Sequence, residues 1–264
     1  MILELLQMCP FMDGMVVPKL NEQDAITYLA PVVAKAMPQL RYLNINLISE
    51  HPLANCHLVR SCKNLVSLNI NRLKFDSRSL VDAVVSEHGH SLQALYIERS
   101  DKLTSQQLNF ILSNCPRLLS LYALVLESGT RYSSPILNSE DMAMVPVKPG
   151  WSCKDLETLH LCYSTEDTNI GIPEVLWRQI GQLSKLKDLT LLRRLREGTG
   201  VQEQESVMQA VHSWKALTDL RWLKLRNLDA FLDKKLVDQA KDQWAKLEWV
   251  RYSYIQSEER DGVS

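Results

Sequence analysis

The sequence predicts a curved α/β solenoid, with parallel strands along a concave face and helices along the convex one. Three observations carry that expectation. A Leu-x-x-Leu pattern, usually followed at the next alternate position by Leu or Ile, returns along most of the chain. Helix start and stop signals fall between its occurrences, and the stop recurs at an equivalent place, as Cys9-Pro10 and Cys115-Pro116. Ser91 to Leu124 holds all three: Leu92, Leu95 and Ile97 mark a strand, and Thr104 with Gln107 three residues on makes a capping box. Leu108, Ile111 and Leu112 then run at helical spacing, and Pro116 cannot continue the helix. One such unit cannot bury its own apolar face, so neighbours must stack to make a core.

Taken in order, residues 1–20 read as an incomplete first repeat: a helix end, the Cys9-Pro10 stop and a degraded strand. Ile2, Leu3, Leu5 and Leu6 are apolar where a terminal repeat is expected to carry a polar cap, which predicts either a preceding domain or a partner over them. Asn21 to Pro38 reads as the next helix, with Asn21 and Asp24 in capping relation and Pro31 as a kink. Strand patterns then open at Leu40, Leu65, Leu92, Leu118, Leu156, Leu186, Leu220 and Leu247, at intervals of 25, 27, 26, 38, 30, 34 and 27 residues. Most lie in or near the range of leucine-rich repeats, so residues 21–256 are read as one leucine-rich-repeat horseshoe. Helices are expected over Asp76–Glu87, Thr104–Asn114, Pro173–Leu183, Glu203–Trp214 and Lys234–Trp244. In the longest interval, Ser128 to Cys153 carries Pro135, Pro146 and Pro149 without helical period, so a loop replaces or extends the helix there. Residues 257–264 are charged and turn-rich and are read as a disordered tail.

Hydrophobic residues make up 45% of the chain and charged ones 23%, enough apolar material for a core and too much for disorder. A formal charge of −1 supplies no overall field for nucleic acid or an anionic membrane, and neither is expected as a partner. No run is long and apolar enough to span a bilayer, and none resembles a secretion signal. The six cysteines form no Cys-x-x-Cys pair, and those at equivalent repeat positions are expected in a buried column as reduced thiols. A cytoplasmic or nuclear home follows from that reading.

The central pattern, Thr-x-x-x-Leu-x-x-[Ile/Leu]-x-x-x-Cys-Pro-x-Leu-x-x-Leu, resembles the cysteine-containing leucine-rich repeats of F-box proteins and the ribonuclease-inhibitor-like superfold. Later stretches, RQIGQLSKLKDLTLL and DQWAKLEWVRY, resemble the arrays of large fungal F-box/leucine-rich-repeat families. The resemblance covers roughly residues 20 to 255 and implies a repeat array that holds the substrate of a cullin-type ubiquitin ligase. The F-box module that docks on the ligase adaptor in those proteins is not legible before Leu20, so only the substrate-holding half of the implication is expected here.

In each strand the leucines point inward, and the alternate residues are expected on the exposed concave sheet. Those taken as partner-binding are Tyr42, Asn44, Asn46, Asn69, Asn71, Tyr96, Glu98, Tyr122, His160, Trp222, Lys224, Arg226, Trp249 and Arg251. Ser67, Thr158, Asp188 and Thr190 occupy the same kind of position. Tyr, Trp and Arg are the side chains most often found at binding hot spots. The row runs from Asn and Tyr early to Trp, Lys and Arg late, so an acidic or phosphorylated element of a protein partner is expected near the last strands. The basic run Leu192 to Arg196 is read as a solvated turn. His51, Cys56, His57 and Cys62 are the one cluster with metal-ligand residue types, but their spacing fits no paired ligand motif, and Cys62 sits where Cys115 sits. His88-Gly89-His90 reads as a helix C-terminus with its glycine. No Gly-rich phosphate loop or nucleophile elbow is present, and His160 with Glu157 and Cys162 lacks the groups that would activate a thiol. The expectation is recognition without catalysis and without a cofactor, with self-association through the N-terminal leucines as the competing reading.

Overall fold

A computed structural model describes residues 11–17, 28–46, 52–71, 78–98, 103–123, 150–164, 174–194, 214–226 and 241–253. Within them the chain forms strand β1 (Gly14–Val17), helix α1 (Ala30–Ala36), β2 (Tyr42–Asn46), α2 (Pro52–Ser61), β3 (Ser67–Asn71), α3 (Arg78–His88) and β4 (Ala94–Glu98). It continues through α4 (Ser105–Asn114), β5 (Ser120–Ala123), β6 (Thr158–Ser164), α5 (Glu174–Gly181), β7 (Asp188–Arg194), β8 (Trp222–Arg226) and β9 (Trp249–Ser253). The nine strands make one open sheet whose spatial order is the sequence order, and every neighbouring pair is parallel. The fold is therefore α/β. Among the described residues, no helix is long and apolar enough to cross a membrane.

All eight leucine patterns precede strands, but the first leucine of each lies two residues before the strand, in a tight turn. Its N–H commonly donates to a carbonyl three residues back, as from Leu118 to Cys115 and from Leu156 to Cys153. The residue just before each strand then does a second job. At seven successive junctions its carbonyl accepts two N–H groups from the next unit, beginning with Asp13, which receives Arg41 and Tyr42 at 2.7 and 2.8 Å. Consequently each unit is fixed in register to the one before it, and the side chains fall into rows across the sheet.

The inward rows are apolar and closed. Leu43, Leu68, Leu95, Leu121, Leu159, Leu189 and Leu223 are all buried, as are Ile45, Ile70, Ile97, Leu161, Leu191 and Leu225. They pack with Leu80, Val81 and Val84 of α3 and Leu108, Ile111 and Leu112 of α4 in one continuous core. The α4 helix has the expected capping box: the Gln107 N–H donates to Thr104 Oγ1, and the Thr104 N–H donates to Gln107 Oε1 at 2.8 Å. It ends at Asn114, immediately before Cys115 and Pro116.

Several local expectations need correction. Helix α2 is not among the helices the sequence suggested, because it opens on Pro52 and carries Asn55, Cys56 and His57 in place of a leucine stripe. Pro31 sits in the first turn of α1, directly after a wider π-type turn at Tyr28 and Leu29, and the part of the expected helix before that turn lies outside the described residues. Leu192 to Arg194 are not a turn but the last three residues of β7, paired with Cys162 to Ser164 of β6. Gly89 ends α3, yet its φ is not positive. Its need for glycine is steric, since a Cβ there would lie 2.6 Å from the Val85 carbonyl oxygen and 2.8 Å from that of Asn114 in the next unit.

The Ser128–Cys153 stretch lies mostly outside the described residues, but its end is ordered without a helix. Gly150 adopts φ +48°, and Trp151 is buried beyond it, its indole N–H donating to Asn109 Oδ1 at 3.0 Å. The expected helices over Glu203–Trp214 and Lys234–Trp244 fall largely outside the described residues, as do Cys9, the capping pair Asn21 and Asp24, and residues 257–264.

A ring-to-carbonyl contact also ties units together. The indole N–H of Trp214 donates to the Trp177 carbonyl at 3.0 Å, and that of Trp244 donates to the Trp214 carbonyl at 3.2 Å. His88 Nε2 lies 2.9 Å from the Val59 carbonyl. A carbonyl can only accept, so Nε2 carries the proton and Nδ1, enclosed and unpaired, is the bare nitrogen. Burial pushes the His88 pKa below its ordinary 6.5, since charging the ring would place a cation in the core. The unfolded chain therefore binds a proton that the folded one resists. Stability attributable to His88 is complete above about pH 6.5 and falls as pH drops toward the lowered folded value. Chemical denaturation followed between pH 7 and pH 5 should show that loss in the wild type, with a shallower slope in His88→Gln.

Candidate recognition surface

Because successive side chains in a strand alternate, closing the leucine rows on the helix side sends the intervening residues to the opposite face. The register gathers them into rows that sequence separation hides. One row runs Val16, Asn44, Asn69, Tyr96, Tyr122, His160, Thr190, Lys224 and Arg251 through strand after strand. A second runs Gly14, Tyr42, Ser67, Ala94, Ser120, Thr158, Asp188, Trp222 and Trp249. Asn46, Asn71 and Glu98 share a third at the ends of β2, β3 and β4, and Arg226 closes β8 in line with Leu192 and Ser253. For Asn46, Asn71, Glu98, Arg226, Trp249 and Arg251 the structure describes the backbone position only.

The centre of this surface is aromatic. Tyr96 and Tyr122 stack with ring centroids 4.6 Å apart, and the His160 ring meets Tyr122 edge-on at 4.4 Å. His160 Nε2 lies 3.1 Å from Asp188 Oδ2, at ion-pair distance but off the line of a straight hydrogen bond. Burial raises the Tyr122 hydroxyl above its usual range, partly offset by a hydrogen bond with Thr158, so the ring stays neutral at physiological pH. Tyr42 and Trp222, on either side of this cluster, are 45% and 46% exposed. Large aromatic side chains left this open supply contact area at small entropic cost.

The same face is not open throughout. Thr190 and Leu192 are buried although they alternate with core leucines, and Leu192 is not part of the core cluster. Thr190 is thus removed from the set of exposed concave positions. Three of the cations along the rim before the strands are paired. Lys187 holds Glu157 at 2.7 Å, Arg221 lies 3.7 Å from Glu248, and Lys246 bonds Asp219, whose carboxyl it holds below the usual range. Such exposed pairs add little stability, but they neutralise one another locally.

A shallow groove of about 320 Å³ lies over the first strands, lined by Gly14, Met15, Val16, Tyr42, Leu43, Asn44, Ser67, Asn69 and Tyr96. Sequence reasoning named four of these residues as contacts but could not see that they share a depression. The signal for it was the small residues in the second row, Gly14 and Ser67, set beside Tyr42.

Among the described residues, no three side chains of metal-ligand type come together. Cys56 and Cys62 are buried while His57 is exposed, and His51 lies outside the described residues. Cys62 and Cys115 do occupy one buried repeat position, joined there by Cys153. Burial pushes each of these three thiols up to about 12, and raises Cys56 as well, which keeps them protonated and unreactive. No family model matches this chain, and no curated protein matches it in sequence.

Maleimide labelling at mildly alkaline pH, mapped by peptide mass spectrometry, should leave Cys56, Cys62, Cys115 and Cys153 unmodified in the native protein and modify all four in denaturant. Native labelling of Cys115 would contradict the buried column.

Proposed function

We propose that this chain is a leucine-rich-repeat solenoid that recognises a protein partner through the sheet face opposite its helices, without catalysing a reaction on it. The observation that carries the reading is the aromatic row of Tyr96, Tyr122 and His160, stacked across three adjacent strands and flanked by half-exposed Tyr42 and Trp222. Strands in such an array lie closer together than helices do, so the sheet side curves inward and the row lies in the hollow. Binding energy then comes from the rings, and register from the polar residues around them. Lys224 and Arg251 share a row on β8 and β9, which suits an acidic or phosphorylated element of the partner at that end.

The repeat pattern's resemblance to F-box receptors supports a more specific role, the substrate-holding array of a ubiquitin-ligase receptor. Four buried, reduced cysteines fit a cytoplasmic or nuclear setting. A regulatory scaffold that self-associates through Ile2, Leu3, Leu5 and Leu6, which lie outside the described residues, is the second reading; Phe11, just before edge strand β1, and Val16, within it, support it by being 82% and 64% exposed. Light scattering separates the two, because the scaffold predicts a mass above that of the monomer.

Affinity capture from cell extract, with bound proteins quantified by mass spectrometry, tests the first reading. Tyr96→Ala with Tyr122→Ala, and separately Trp222→Ala with Trp249→Ala, should each reduce a shared set of captured proteins by about tenfold or more. Identical partner lists for wild type and both variants would remove the sheet face as the binding surface.

A further inference from the structure

From the groove over the first strands we infer that this module grips an extended, uncharged stretch of its partner's polypeptide there, holding main-chain carbonyls on Asn44 and Asn69 and an apolar side chain between Tyr42 and Tyr96. The inference rests on the recognition reading above and gives it a chemical target at the N-terminal strands. Shape comes first. In the second row the side chains are nothing at Gly14, a large ring at Tyr42 and a single hydroxymethyl at Ser67. Tyr42 therefore stands as a wall on β2, with Tyr96 diagonal to it on β4 beyond Asn69, and the depression between them lies over Ser67 and Asn69.

Hydrogen bonding selects what crosses that depression. Asn44 and Asn69 are register partners on adjacent strands, so their amides stand about 4.8 Å apart. In both, Oδ1 is enclosed and meets no donor. The buried Asn55 has both amide atoms enclosed and unpartnered, whereas in Asn44 and Asn69 this is true of the oxygen alone. Their NH₂ groups are accordingly the ends presented to the groove. Two donors with their own acceptors enclosed match a ligand group that only accepts, and the backbone carbonyl is that group. Carboxylates and phosphates need a cation, and no charged side chain lines the groove. An extended segment can give two carbonyls to adjacent strands and lower a side chain between the rings, which is recognition of a backbone with one selective pocket.

A library of short random peptides displayed on phage, selected against the immobilised full chain, tests this. Selection should enrich uncharged sequences with a recurrent apolar residue. Their binding should fall about tenfold or more with Ser67→Phe, which fills the depression, and with Asn44→Ala combined with Asn69→Ala. Lys63→Ala, on an exposed turn away from the sheet face, should leave it unchanged. Circular dichroism melts of each variant establish that it is folded, as expected for substitutions outside the core. Enriched peptides that are acidic, or that bind Ser67→Phe as they bind wild type, would overturn the groove. If those peptides are instead lost with Trp222→Ala, recognition by the sheet face stands without it. Failure to enrich any sequence would overturn both.

Discussion

One backbone carbonyl at the entrance of each of the first seven strands, taking two N–H groups from the following unit, is the constraint on which everything else in this protein depends. It recurs from Asp13 to Lys187 with hydrogen bonds of 2.7 to 3.0 Å. Since a strand's side chains alternate with period two, fixing the entrance fixes which face every later residue occupies, and a slip of one residue would turn the leucines outward. Leucine burial and backbone pairing thus enforce the same register. Agreement of that kind between local and global preferences is what gives a chain of near-identical units one arrangement.

Much of the architecture was legible because the leucine spacing is itself the record of that alternation. The Thr104 cap and the Cys115-Pro116 stop were legible for the same kind of reason, each being a local backbone demand met by particular side chains. Helix α2 was not, because its buried side includes Asn55, Cys56 and the small Ala54, and none of these announces a helix face. The tie through Gly89 was also hidden, since the carbonyl it must approach belongs to Asn114, in another unit. The Trp177, Trp214 and Trp244 stack lay below sight for a related reason: its rings, 4.9 and 6.3 Å apart in successive pairs, come from segments with irregular spacing.

For the candidate recognition surface, alternation told which residues face away from the core, and register told which of them meet. Tyr96, Tyr122 and His160 are adjacent only because three parallel strands align them. Two features could not be read in advance. Thr190 and Leu192 sit at outward positions yet are buried, so periodicity alone overstates the open area. Lys187, Arg221 and Lys246 lie beside carboxylates from neighbouring units, so a count of basic residues overstates the positive charge near the last strands.

The central claim is register across the sheet, and disulfide trapping measures it most directly. The informative junction is β5 to β6, whose strands are separated by the longest interval between strand patterns, with Ser120 opposite Thr158. With Cys56, Cys62, Cys115 and Cys153 buried, a Ser120→Cys, Thr158→Cys pair should cross-link readily under mild oxidation, because register partners in a parallel sheet bring their Cα atoms within disulfide range. Ser120→Cys with Leu159→Cys should not, since that second thiol would lie on the core side. Efficient cross-linking of the Leu159 pair, or none of the Thr158 pair, would contradict the account.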